Sequence, residues 1–387
     1  MSETSRRSFL LSGLALPVAL ESNALFIPQA QKPEAPKLTY RTLGKTGLKP
    51  TSVAFGCMIT SDQSVIEKAA DLGINYFDTA RGYSNGNNER MVGAALKSKR
   101  KDVIISTKTM SRTKEEALQH IDTSLKELGT DYVDIWHLHM KNSPADLSDG
   151  LLEAQQIAKK AGKVRFLGVS THSMPQLLPG VLEKKPHFDV ILTMYNFASN
   201  PDLTTAIETA TKEGLGVIAM KVMSGGMGMG GYGAGRGRGG APAAPRKEGS
   251  ALAALKWVLK NQSVSTTIPS ITNMDQLDEN MKALTEPFTS SDEKILAARL
   301  NEIRPLYCRT CGSCSGKCPH AVPVADVLRY LSYAEGYGEF QLAREHFLAL
   351  PSEIRNVRCA DCSTCVIQCP NGVRIADRLR TAQELLA

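Results

Sequence analysis

The chain has 387 residues, 42% of them hydrophobic and 22% charged, ordinary values for a globular protein with room for two or three domains. Its net charge of +7 is spread along the sequence without a dense Lys/Arg block, which argues against nucleic acid as a partner. No apolar run approaches the roughly 20 residues of a membrane helix, so no stable membrane span is expected.

The first element is a candidate export signal. In "TSRRSFLL", Arg6 and Arg7 precede the short apolar stretch Phe9 to Leu20, which Gly13 and Pro17 interrupt, and small residues follow at 22–24. The paired arginines resemble a twin-arginine signal, implying export and a periplasmic location; two chance arginines on a frayed terminus are the plain alternative. "PQAQKPEAPK" (28–37) then reads as a linker, so residues 1–37 form a signal and linker segment.

From 38 to 300 the sequence alternates β-branched runs with amphipathic ones. Strands are expected at "SVAFGCM", "INYFDTA", "DVIISTKT", "YVDIWHLHM", "VRFLGVST", "FDVILTMYN", "LGVIAMKV" and "STTIPSI". Between them, stretches such as "SVIEKAADLG", "KEEALQHIDTSLKELG" and "LLEAQQIAKKAG" carry apolar residues three and four apart and end on glycine. Eight such units predict an α/β fold, a (β/α)8 TIM barrel, and no G-x-G-x-x-G follows the first strand to favour a doubly wound sheet.

Chemistry in such a barrel gathers where strands end. Asp78 and Tyr83 follow the second strand, Lys108 closes the third, His139 the fourth, and Asn196 follows the sixth. A tyrosine beside a lysine is expected to have its pKa lowered by the cation, letting it exchange a proton near neutrality while His139 orients a carbonyl oxygen. Asp78 would hold Lys108 by a charge-assisted bond. Singly these residues also read as a turn cap or a surface aromatic. His137 shares a strand face with His139 and competes with it. His172 and Lys221 read as solvated or packing residues, and Cys57 as a small core residue.

These segments resemble the aldo-keto reductases. "GINYFDTARGYSNGNNE" matches that family's Phe-Asp-Thr-Ala…Tyr-x-x-Gly…Glu segment, "TYRTLGKTGLKPTSVAFGCM" its N-terminal hairpin and first strand, and "LGTDYVDIWHLH" its stretch ending in Leu-His. The resemblance implies Asp78, Tyr83, Lys108 and His139 as the catalytic set, with Tyr83 giving the proton, and a bound NAD(P)H. The implied cofactor pocket departs from the family at several positions. "GVSTH" keeps Ser170 but has Thr171 for the usual Asn, the expected Gln aligns with Leu192, and Met220 stands where an aromatic ring stacks on the nicotinamide. Ser270 and Gln276 replace the cations that grip a 2′-phosphate, which weakens a preference for NADP, while Glu279 and Asn280 match the adenine side. Asn196 is counted with this pocket. "SGGMGMGGYGAGRGRGG" (224–240) is read as a low-complexity insertion or as a pyrophosphate clamp supported by Arg236 and Arg238.

Eight of the nine cysteines follow residue 307. Cys308, Cys311, Cys314 and Cys318 make C-x2-C-x2-C-x3-C-P, and Cys359, Cys362, Cys365 and Cys369 repeat it. That is the ligand run of bacterial [4Fe–4S] ferredoxins, in which the fourth cysteine serves the other cluster. Two clusters follow: one on Cys308, Cys311, Cys314 and Cys369, the other on Cys359, Cys362, Cys365 and Cys318. Zinc pairs or disulfides fit the spacing less well. The helical pattern of "VADVLRYLSYAEGYGEFQLAREHFLAL" between the runs resembles the α-helical ferredoxin type, so 301–387 is expected to be a small, mostly helical iron–sulfur domain.

As a whole the chain resembles aldo-keto reductases with a C-terminal iron–sulfur domain. The expected function is oxidoreduction of a small carbonyl or alcohol, with electrons passed to or from the clusters and a redox partner protein in view. The alternative is an electron-transfer or partner-binding iron–sulfur protein whose barrel no longer uses a nicotinamide.

Overall fold

In the computed structural model, residues 38–224, 249–362 and 364–387 are described. The expected signal and linker at 1–37 and the clamp at Arg236 and Arg238 lie outside the described residues.

The alternation produces eight parallel strands in sequential order: β1 (Phe55–Gly56), β2 (Tyr76–Asp78), β3 (Ile104–Thr109), β4 (Val133–Leu138), β5 (Val164–Thr171), β6 (Val190–Met194), β7 (Gly216–Met220) and β8 (Thr266–Thr267). Parallel bridges Val53–Thr267 and Gly56–Ser270 join the last strand to the first, closing the barrel. The helices are α1 (Gln63–Asp71), α2 (Asn87–Leu96), α3 (Lys114–Leu128), α4 (Asp149–Lys160), α5 (Met174–Glu183), α6 (Pro201–Lys212), α7 (Ser250–Lys260) and α8 (Met274–Lys282) around it. Then come α9 (Ser290–Ile303), α10 (Val324–Tyr337), α11 (Phe340–Leu348), the short α12 (Ser352–Arg355) and α13 (Ile375–Leu386). None of the described helices is long and apolar enough to cross a membrane.

Period-two alternation divides the strand residues between two cores. Tyr76, Ile104, Ile135, Leu192 and Ile218 fill the barrel interior, whereas Phe77, Ile105, Trp136, Ile191 and Val217 face the helices. Leu43 and Leu48, from the turn before β1, join the interior cluster, and Lys45 N donates to Gly214 O at 3.0 Å just before β7. The N-terminal segment thus plugs the end of the barrel where the strands begin. Helix starts are capped as their sequences dictate: Asp62, Thr113 and Asn273 each accept a backbone N–H of the first turn, an arrangement worth about 1 kcal/mol each.

The interior is tight at β4 and β5. His137 lies opposite Gly168, and a Cβ on that glycine would fall 2.3 Å from the imidazole Nδ1. Gly168→Ala should therefore lower stability by about 1–3 kcal/mol, read as a fall in the denaturant midpoint.

The helical stretch between the cysteine runs breaks in two at Gly338, whose φ of +73° ends α10 in the left-handed turn that glycine tolerates. A second apolar core holds Val327, Leu331, Phe347, Ile375, Leu379 and Leu386. Arg378 on α13 forms a two-pronged ion pair with Glu335 on α10, tying the ends of this domain together.

Candidate functional site

Asp78, Tyr83, Lys108 and His139 come together at the mouth formed by the strand C-termini. Asp78 ends β2 and Lys108 lies in β3, both on the inward face and both buried. Lys108 Nζ donates to Asp78 Oδ2 at 2.5 Å, to the carbonyl of Thr79 at 2.7 Å and to the Tyr83 hydroxyl at 3.4 Å. The other Asp78 oxygen accepts from Ser106, which in turn accepts from Tyr76 deeper in the barrel. A column of polar groups therefore holds the carboxylate that holds the lysine. His139 follows β4 and meets Tyr83 edge-on, ring centroids 6.1 Å apart.

Tyr83 sits on a loop wound through two left-handed residues, Ser84 and Asn85, at φ of +48° and +51°. Such a backbone persists only where neighbours hold it. Asn88 bridges the Thr79 hydroxyl and the Cys57 carbonyl, and the buried Glu89 takes Arg81 and the Thr107 hydroxyl. Asn88 and Glu89, whose structural role the sequence reading left unassigned, fix the loop. The signal in the sequence is an acid in the first turn of a helix that directly follows the Tyr83 loop.

The electrostatics correct one expectation. Burial, reinforced by the charge of Asp78, raises the Tyr83 pKa well above its ordinary value. Lys108 does not reverse this, because Asp78 already balances its charge. Tyr83 is therefore a neutral phenol, able to give a proton, and not a group that titrates near pH 7. Burial, with Lys108 next, drives the His139 pKa well below the usual imidazole value, so this ring is neutral too. His137 is fully buried beneath the pocket, its pKa pushed down to about 3 by burial and then by Lys108, and it does not line the cavity. His139 does.

The pocket above Tyr83 has a second wall that the barrel does not supply. Gly56, Met58, Met110, Met220 and Ser270 line it from the barrel, and Tyr333, Tyr337, Leu342 and His346 line it from α10 and α11. Tyr307 and Thr310, flanking Cys308, fasten the two regions. The Tyr307 hydroxyl accepts from Asn196 Nδ2 at 3.0 Å, and Thr310 donates to the His172 carbonyl at 2.7 Å. Lys221 and His172, expected to be solvated or packing residues, both face the pocket.

The cysteines sort into two groups, each drawing on both runs. All are free thiols. Burial raises the Cys308 pKa, and the charges of Cys314, Cys311 and Cys369 push it further. Cys359 is raised by burial and then by Cys362, Cys318 and Cys365, and these four line one cavity with Ile367 and Leu379. Thr310 N and Asn371 Nδ2 reach Cys308 and Cys311 sulfurs at 3.4 Å. Among the described residues no three His, Cys, Asp or Glu side chains are close enough to grip one ion. A cubane takes one thiolate per iron, which spreads the four ligands apart. The crossed thiol sets and their N–H···S donors fit [4Fe–4S] clusters.

Residues 60–300, well over half of the chain, match the model of the aldo/keto reductase family. The chain belongs to that family. Residues 307–374 match a 4Fe-4S dicluster domain, so this is an aldo/keto reductase oxidoreductase with an iron–sulfur domain at its C-terminus. An L-galactose dehydrogenase of Arabidopsis thaliana is 29% identical over 300 residues, covering 65% of this chain and 89% of the relative. An L-glyceraldehyde 3-phosphate reductase of Escherichia coli (strain K12) is 26% identical, covering 68% and 94%. The holo form of an aldo-keto reductase from Bacillus halodurans superposes with a TM-score of 0.56 over 68% of this chain and 96% of that one, at 23% identity, a likeness of fold.

Aldo/keto reductases generally use NAD(P)H, and the residues here fit such a nucleotide at one end. Asn280 is fully buried with both amide atoms unpartnered, the arrangement an adenine edge would satisfy. The nicotinamide end is different. Thr171 Oγ1 donates to Asn142 and accepts from Ser173 N, and Ser170 Oγ accepts from Met140 N. Asn196 donates to Lys221 O and to Tyr307 and accepts from Ala198 N. Leu192 is packed inside the barrel, and Gln276 Oε1 accepts from the backbone and hydroxyl of Thr272. Of these residues only Ser170 keeps an uncommitted donor, its hydroxyl, for the carboxamide of a nicotinamide, so the expected nicotinamide positions do not fit it.

Proposed function

We propose that the protein interconverts a small carbonyl compound and its alcohol at Tyr83, with electrons passed to or from two [4Fe–4S] clusters. The observation that carries this is the shared pocket: Tyr83 and His139 face Tyr333, Tyr337 and His346 of the iron–sulfur domain across one cavity. Tyr83 gives the proton to the carbonyl oxygen, Lys108 and Asp78 hold the phenol in position, and His139 orients the oxygen as a neutral ring. Reduction takes two electrons and two protons: Tyr83 gives the proton at oxygen, and carbon would take a hydride from NAD(P)H or, without a nicotinamide, a solvent proton with two electrons that the clusters would supply one at a time. Cys308, Cys311, Cys314 and Cys369 would hold the cluster beside the barrel, since Tyr307 and Thr310 next to them contact Asn196 and His172. The cluster of Cys318, Cys359, Cys362 and Cys365 lies near the exposed Val366, a suitable face for a redox partner protein. The Arg6–Arg7 signal supports export of the folded protein to the periplasm by the twin-arginine route, which carries cofactors already inserted.

Family membership and the open amide of Asn280 support NAD(P)H as the two-electron partner. The committed hydrogen bonds of Thr171 and Asn196 favour a second reading, in which the barrel works with the clusters and without a nicotinamide. Titrating anaerobically prepared protein with NADH and NADPH separates the two. Binding that bleaches the cluster absorbance is expected of the first; absence of binding by either nucleotide leaves the second.

A further inference from the structure

Lys221 is the residue of the pocket whose chemistry remains unused. It follows β7 with a φ of +54°, and its carbonyl is held by both Asn196 Nδ2 and Ser224 N at 3.0 Å. A left-handed lysine locked by two hydrogen bonds is a backbone arranged to aim a side chain. That side chain runs across the faces of Tyr333 and Tyr337, 4.6 and 4.9 Å from the ring centroids, and donates to the Tyr337 hydroxyl at 3.3 Å. Among the described residues no carboxylate partners it, and the charged group that acts on it is another cation, Arg329, itself paired with Asp326 on α10. Beside it, His172 is buried with Nδ1 unpartnered and lines the same cavity. An ammonium in a walled pocket, with no carboxylate against it among the described residues and an unsatisfied ring nitrogen beside it, presents two donors that an oxyanion would satisfy.

We propose that Lys221, with Tyr337 and His172, binds an oxyanion carried by the ligand that reacts at Tyr83, a carboxylate or a phosphate. The inference rests on the reading of Tyr83 as the reacting site. It gives the iron–sulfur domain a part in recognition, because α10 supplies the rings and the hydroxyl that hold the lysine. The oxyanion can belong to the carbonyl substrate or to the pyrophosphate of a nucleotide.

The charge that attracts the anion is itself conditional. Burial, and then Arg329, lowers the Lys221 pKa to about 7. The other described groups facing it hold one charge state through neutrality: burial keeps His139, His172 and His346 neutral and Tyr333 and Tyr337 protonated, while Arg329 remains a cation. Cys308 lines a small cavity with Lys221, and the negative charge of a cluster held there would move the discharge of the lysine upward from about 7. Oxyanion binding should thus be strong below pH 7 and weaken above it as the ammonium discharges.

Calorimetry on the anaerobically prepared full chain tests this with phenylglyoxylate, the neutral benzaldehyde, inorganic pyrophosphate and NADH as probes. Lys221→Met should weaken an oxyanion probe roughly ten- to a hundredfold, the span of one lost charged hydrogen bond, and leave benzaldehyde unchanged. Lys221→Arg should retain most of the affinity and lose the decline above pH 7. Loss confined to phenylglyoxylate assigns the oxyanion to the substrate; loss confined to pyrophosphate and NADH assigns it to a nucleotide. Unaltered affinity of Lys221→Met for every oxyanion probe, or no oxyanion binding by the unsubstituted protein, overturns the proposal. Cluster absorbance in each variant reports that the chain has folded. Turnover of Tyr83→Phe tests the parent reading separately, since it does not enter these binding measurements.

Discussion

Cys369→Ala is expected to remove the cluster that contacts the barrel and to spare the other, although Cys369 belongs to the second cysteine run. Cys308 has Cys369 among its thiol neighbours, whereas Cys359 has Cys318. Iron content should fall by about half, as loss of one of two equal clusters requires. The mirror variant, Cys318→Ala, should cost the same iron but lose the cluster of Cys359, Cys362 and Cys365. Electron paramagnetic resonance of the reduced proteins distinguishes them: the residual spectrum of Cys369→Ala should match that of Cys308→Ala, and a match to Cys359→Ala instead would mean that the ligands do not cross between runs. The two variants should also differ in the pocket. Cys308 sits between Tyr307 and Thr310, whose hydroxyls contact Asn196 and His172, so losing its cluster frees the segment that fastens α10 over Tyr83. Ligand affinity should drop in Cys369→Ala more than in Cys318→Ala.

Tyr83→Phe should lower kcat for carbonyl reduction by roughly 10²–10⁴, the usual contribution of a positioned general acid, with the cluster absorbance unchanged. The ring stays in place because Lys108 lies 4.9 Å from its centroid and His139 against its edge, contacts that phenylalanine keeps. Undiminished turnover would remove Tyr83 from the mechanism. The pH profile carries a second check. With the Tyr83 pKa raised well above 10 and that of His139 lowered well below 6.5, both groups are neutral between about pH 7 and 9. The chemical step should therefore be flat there, so a decline above pH 7 that disappears in Lys221→Arg belongs to ligand binding.

What could be read in advance depended on how local the physics was. The strands from "DVIISTKT" to "LGVIAMKV" emerged where their apolar runs lay, because burial on both faces of a parallel sheet leaves its mark on consecutive residues. α3 and α4 closed near Gly129 and Gly162, both with positive φ, since the left-handed turn that ends a helix selects glycine locally. The meeting of Asp78, Tyr83, Lys108 and His139 was legible for the same reason: strand ends are marked in the chain, and barrel closure sends them to one rim. The charge state of Tyr83 was not. A Tyr–Lys pair alone argues for a lowered pKa, and the direction reverses once Asp78 balances the lysine and the pocket walls exclude water.

By itself, then, the sequence pointed to the barrel and to the eight clustered cysteines through periodicity and spacing, and to the four residues at the barrel mouth through strand ends and the family resemblance. Only the tertiary structure decided that Tyr307 occupies Asn196 and that α10 and α11 wall the pocket. Those are contacts between segments more than a hundred residues apart for Tyr307 and Asn196, and side-chain types do not encode which distant surface they will meet. Lys221 is the clearest case. In the sequence it is one lysine past a strand; in the fold, Tyr333 and Tyr337 arrive to cover it, and a cation expected to be solvated becomes a half-buried one with no carboxylate against it among the described residues.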